Sequence, residues 1–134
     1  MKTLFTGIYS LFVAEPANAF YTAIGGRLYL GEAPQGATYP YCVYSMPSNV
    51  PEYYFSGERL EEFLIQFSIF DKDGSASDIG TLFENLKTLF DDCTVTVAGY
   101  TCLIFERSLA RLIRHPADNV WQHTVQYEVT LENN

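Results

Sequence analysis

Glu62-Phe63-Leu64-Ile65-Gln66-Phe67-Ser68-Ile69-Phe70 is the stretch that decides the fold class. Phe63, Ile65, Phe67 and Ile69 fall at every second position, so an extended chain puts them all on one apolar face. The residues are mostly aromatic or β-branched, the types that fill a pleated, half-buried surface. The end of the chain repeats the pattern. From Asn119 to Leu131, Trp121, His123, Val125, Tyr127, Val129 and Leu131 point one way, and Gln122, Thr124, Gln126, Glu128 and Thr130 point the other. Two strands with one apolar face each require something apolar to cover that face.

Working outward from these strands, the period changes. Leu82, Phe83, Leu86, Leu89 and Phe90 make a helical stripe after a polar turn at 71–77, where Ser75 or Ser77 can cap the helix. Leu4, Phe5, Ile8, Leu11 and Phe12 make a second stripe within a helix expected over 2–14, followed by a short helical piece near 17–21. Gly25-Gly26 ends that piece. Arg27 to Leu30 reads as a short strand, 31–36 as a loop, and Tyr39 to Met46 as a further strand. Pro47 to Glu61 reads as a long polar connection, and 94–98 with 100–109 as a hairpin around Gly99. The expected fold is α+β: two amphipathic helices on a mostly antiparallel sheet of about six strands, in the order α-β-β-β-α-β-β-β. A chain of 134 residues makes this one domain, 1–134.

The N-terminal segment imitates a secretory signal, with Lys2, an apolar run from Leu4 and a small-residue Ala17-Asn18-Ala19. Thr6, Gly7, Tyr9 and Ser10 interrupt the run, so it reads as a structural helix. No stretch reaches the ~20 apolar residues of a membrane span.

Sixteen acidic against eight basic side chains give a formal net charge of -8. That disfavours nucleic acid as a ligand, since phosphate affinity comes from Lys and Arg, but it suits a surface past which DNA slides. Ten Tyr and ten Phe suit either an aromatic core or a surface that contacts other proteins.

Active-site constellations are weak. Cys42, Cys93 and Cys102 are widely spaced, and only His115 and His123 could add imidazole, so neither zinc nor another metal is expected. Asp71-Lys72-Asp73-Gly74-Ser75 opens like a calcium loop, but its sixth position is Ala76 and its twelfth Leu82, where Gly and Glu are needed. The pairs Glu61-Glu62 and Asp91-Asp92 read as solvated surface. His123 beside Trp121 and Val125 reads as a satisfied core histidine rather than the base of a cysteine nucleophile. No glycine-rich phosphate loop or nucleophile elbow is present. The chain is not expected to be an enzyme or to carry a cofactor.

Contact features are stronger. The 47–61 connection holds Tyr53, Tyr54, Phe55 and Arg59. Arg107, Arg111 and Arg114 place three basic charges close together; if the stretch is extended Arg107 and Arg111 share one face, and if it is helical all three align. Such a strip could meet an acidic patch on another copy, head to tail, and close into a ring.

Nearly the whole chain resembles a family of phage and prophage tail-completion proteins. The resemblance rests on Gly26-Arg27-Leu28-Tyr29, Ala33-Pro34-Gln35-Gly36 and Tyr39-Pro40-Tyr41-Cys42-Val43, then on Phe67-Ser68-Ile69-Phe70 and Val125-Gln126-Tyr127-Glu128-Val129. His115 before Pro116 departs from the acidic residue expected there. The resemblance implies a virion structural protein, a tail terminator forming a ring, typically hexameric, at the head-proximal end of the tail tube after assembly in the host cytoplasm. Its implied partners are further copies of itself, the tail-tube protein and the head–tail connector, with DNA passing through the lumen and no membrane involved. The alternatives are a head-completion or neck protein and, from a different class, a monomeric host-interaction or ligand-binding module.

Overall fold

The computed structural model describes residues 2–53 and 59–134, with 49–53 and 59 described by their backbone alone. In chain order the elements are α1 (Lys2–Val13), α2 (Ala19–Ala23), β1 (Leu28–Leu30), β2 (Tyr41–Tyr53), β3 (Arg59–Lys72), α3 (Ala76–Phe90), β4 (Tyr100–His115) and β5 (Val120–Asn133). They build one α+β sheet in the spatial order β1-β2-β3-β5-β4.

The alternation read in the sequence sets this sheet. Phe63, Ile65, Phe67 and Ile69 of β3 and Val125, Tyr127, Val129 and Leu131 of β5 are all buried on one face, and the two strands pair antiparallel along their full lengths. The helices cover that face. Phe67 stacks on Phe90 of α3 at 4.5 Å between ring centroids, and Phe5 of α1 meets Tyr44 of β2 edge-on at 5.8 Å. Ser75 caps α3 through a full capping box with Asp78, which satisfies two backbone N–H groups at the helix start. α1 lies so close to the 95–96 backbone that a Cβ on Gly7 would sit 2.4 Å from the Thr96 carbonyl oxygen. The glycine that interrupts the apolar run is what permits this approach.

Three expectations need correction. First, the order is α-α-β-β-β-α-β-β with five strands, because the 94–98 segment makes only the single bridge Val97↔Tyr100. Val95 and Val97 are buried in the core instead of pairing as a strand. Second, the sheet is mixed: β1 runs parallel to β2, with Leu28 opposite Cys42 and Leu30 opposite Tyr44. Third, most of the 47–61 connection is not a loop. β2 and β3 continue as a hairpin to the pair Tyr53↔Arg59, with an irregularity between Ser45 and Ser48. Pro47 and Pro51 misled the reading, because proline removes a ladder donor. β1 pairs with only residues 42–44 of β2, so the rest of β2 is a sheet edge, where proline is tolerated.

The opposite edge is β4, which pairs only with β5. No helix among the described residues is long and apolar enough to cross a membrane.

Candidate assembly surfaces

Whether a residue of β4 faces the helices or the open side follows from its partner on β5. Odd-numbered β5 residues face the helices and even-numbered ones face away. Arg107 lies opposite Tyr127, Arg111 opposite Thr124 and Arg114 opposite Trp121. Arg107 and Arg111 therefore lie on opposite faces, not one. The register shift between Arg107 and Leu109 inserts one extra residue, and a one-residue slip turns every later side chain over.

The three arginines consequently meet different surroundings. Arg107 reaches Asp91 at 3.4 Å and lies over the Phe83 ring at 5.7 Å. Arg114 lies over Trp121 at 4.8 Å and hydrogen-bonds Asn119. Arg111, on the open face and exposed, makes no ion pair among the described residues. Of the strip, it is the charge left for a partner. At the last described pair of β2 and β3, the backbone of Tyr53 lies opposite that of Arg59. Tyr54 and Phe55 lie outside the described residues.

Asp91 is not the solvated carboxylate that its sequence suggested. It accepts a hydrogen bond from the Tyr127 hydroxyl at 2.6 Å as well as the ion pair with Arg107. Burial first, and then the hydrogen bond to Asp91, push the Tyr127 hydroxyl well above its ordinary range. The cluster ties the end of α3 to β4 and β5. Its members are far apart in sequence, so only register could have revealed it.

The open face of the sheet has no helix on it. Across its middle runs a polar network: Gln126 donates to Gln66 at 3.0 Å, Gln122 donates to Thr124 at 3.1 Å, and Gln122 also meets His115 at 2.8 Å. Toward β1, Tyr41 packs against Tyr39 and Phe70 at 5.1 and 5.2 Å and against Tyr29 at 6.0 Å. Burial, then the neighbouring Tyr39 and Tyr29, raise the Tyr41 hydroxyl. With the 31–37 loop, Tyr39, Tyr41 and Phe70 line a cleft of about 470 Å³. Arg27 Nε donates to the Pro40 carbonyl at 3.0 Å, which joins the 26–29 and 39–43 motifs. Tyrosines of the strand motifs thus form a cluster on the open face. At the far end of the same face, Glu106 lies opposite Glu128 and Leu64 opposite Glu128 on its other side, with Glu62 nearby.

The residues weighed for chemistry are buried, partly buried or engaged in structural hydrogen bonds. Burial pushes all three thiols up, Cys93 to about 12, which opposes thiolate formation. His123 is buried and stacked on Phe83 at 4.0 Å. Burial lowers its pKa, and its Nδ1 has no hydrogen-bond partner, so it is buried but not fully satisfied as expected. Asp73 and Asn119 hydrogen-bond each other across the β3 and β5 ends, and Ser75 is occupied as a cap. Among the described residues no cluster of three His, Cys, Asp or Glu side chains could hold a metal.

Comparison with known proteins fits this geometry. The family model described as "Tail completion protein gp17" matches residues 7–132. Among solved structures, a chain from the "Virion of native gene transfer agent (GTA) particle" shares the fold with a TM-score of 0.72 at 9% identity. The match covers 96% of this chain and 93% of that one. No curated protein matches at a significant level.

Proposed function

Because this chain belongs to the tail completion protein gp17 family, a family of phage structural proteins, we propose that it acts as one subunit of a ring, hexameric in the complete tail. In this reading the ring caps the head-proximal end of the tail tube, stops its growth and offers a surface to the head–tail connector. The observation that carries the proposal is the family match over nearly the whole chain. Two features of the fold support it. The outer edge of β4, and that of β2 beyond its pairing with β1, remain open to contacts between copies. The open face carries Glu62, Glu106 and Glu128 against Arg111, with neutral amides and hydroxyls between, so its acidic surplus would repel a passing duplex rather than hold it.

The 47–61 segment, with Tyr53, Tyr54, Phe55 and Arg59, together with Arg111, is assigned to contacts with other copies or with the tail tube. Arg107 and Arg114 join them only by exchanging their internal partners. Light scattering behind size exclusion, with negative-stain images of each peak, tests the reading. Closed rings, and capping of purified tail-tube ends, are the expected results. A chain that neither forms rings nor caps tubes contradicts it, and capping of the head connector alone assigns the protein to the neck. Replacing Tyr53, Tyr54 and Arg111 together with alanine should weaken assembly while the monomer stays folded. Unchanged sedimentation would remove those residues from the interface.

A further inference from the structure

Exposed large apolar side chains are not scattered over this molecule. Among the described residues they occupy two places. Tyr9, Val13 and Leu30 lie at the β1 edge, where Tyr9 and Val13 share one flank of α1, and Tyr9 lines a groove with Leu30. Leu103, Ile104, Leu109 and Leu112 all lie on β4, at the opposite edge. Single exposed leucines are ordinary, but two apolar groups restricted to the two ends of one sheet are not explained by the monomer.

We infer that these two edges are the two halves of one contact: the β4 edge of one copy seats against the α1–β1 edge of the next. The inference rests on the ring reading above and names the surfaces that would close it. Three observations select a second copy as the occupant.

Sidedness agrees. Of the β4 group, Leu112 lies opposite His123 and so faces the helix side, as does Leu30 opposite Tyr44, whereas Ile104 and Leu109, opposite Thr130 and Gln126, face the open side with Arg111. Arg111 lies on the open side, and Glu32, exposed and two residues beyond Leu30, lines the open-face cleft. Two copies set edge to edge in one orientation bring Leu112 to Leu30 and Tyr9, and Arg111 to Glu32.

Charge agrees as well. Arg111 and Glu32 are of opposite sign, and neither has an ion-pair partner among the described residues. Chain sense also agrees. β1 is parallel to β2, and each later neighbour in the sheet is antiparallel, so β4 runs opposite to β1. A following copy in the same orientation therefore continues the sheet with an antiparallel junction. The two surfaces differ from each other, so the contact is head-to-tail and repeats from copy to copy, which is the geometry of a ring and not of a two-fold dimer.

The test uses two single variants of the full chain, Leu30→Glu and Leu112→Glu. Both sites are about half exposed, at 51% and 46%, so each monomer should keep the wild-type circular dichroism and melting curve. Light scattering should find rings for the wild type and loss of every species larger than a monomer for each variant alone. An equimolar mixture should yield dimers and nothing larger, because it contains one intact β4 edge and one intact β1 edge per pair. Should either variant fail to fold, Arg111→Glu and Glu32→Arg serve instead: each weakens assembly at least tenfold and the double variant restores it. If Leu30→Glu still dimerises while Leu112→Glu does not, the contact is β4 with β4 and the inference falls. Rings that survive both variants overturn this interface and leave the ring reading intact. A wild type that stays monomeric at every concentration and on tube ends overturns both.

Discussion

β5 and β4 are neighbours that pair along nearly their whole lengths, fourteen residues against sixteen, yet they obey different rules. β5 lies between β3 and β4 with α3 over it, and its odd residues from Val125 to Leu131 are fully buried. Its even residues hold the polar network of the open face. β4 has a neighbour on one side only. Its register shifts twice, and of its apolar residues only Phe105 is buried. A central strand must satisfy the core at every second position, so its sequence alternates cleanly. An edge strand has no such obligation along its outer side, and its apolar residues are available to something outside the chain.

Substitutions can break this comparison in order of expected effect. Tyr127→Ala, in the centre of β5, removes a fully buried ring that packs on Phe67 and Phe105 and hydrogen-bonds Asp91. It should cost about 3–5 kcal/mol in denaturant unfolding, in the range for large buried aromatics. Gly7→Ala attacks the cover over the core face rather than the strands. Because the obstacle is the Thr96 backbone, not a mobile side-chain tip, a loss of about 1–3 kcal/mol is expected by the same measurement.

A pH series sharpens the contrast. His123 is buried on β5, and burial holds its folded-state pKa below the value of about 6.5 found in an unfolded chain. As the pH falls, the unfolded state therefore takes up that proton first. The His123 contribution leaves stability unchanged above about 6.5 and lowers it progressively as the pH drops below. His123→Phe should flatten that part of the profile, measured as melting temperature against pH; an unchanged slope would assign it to other groups. The smallest effect belongs to β4. Leu112→Ala should change monomer stability by no more than about 0.5 kcal/mol, since the side chain is half exposed. A loss as large as that at Tyr127 would end the distinction between the two strands.

The same contrast explains what could be read from the sequence. β3, β5, α1 and α3 were legible because burial imposes a period on them; the cap of α3 was legible only as Ser75 or Ser77, and the capping box with Asp78 decides for Ser75. The β2 extension was hidden by Pro47 and Pro51, which are permitted only because that part of β2 is an edge, a fact of sheet order rather than of local sequence. The missing strand at 94–98 was an error of the opposite kind: Val95 and Val97 alternate like a strand but are buried beneath α1. Of the candidate surface, Arg111 was legible as an exposed charge. Its separation from Arg107 was not, because nothing in Glu106-Arg107-Ser108-Leu109 announces a register shift. Leu112 and Leu30 carried no signal, since an exposed leucine and a buried one look alike until the sheet order places both on edges.

The central claim is that the outer edge of β4 is an assembly surface while β5 serves the core. Hydrogen–deuterium exchange, read peptide by peptide in the monomer and in the assembled state, tests this most directly. Assembly should newly protect amides over 107–114 in β4 and around Leu30, and leave the already protected amides of β5 unchanged. New protection confined to other surfaces, with β4 exchanging as fast in the assembly as in the monomer, would contradict the account.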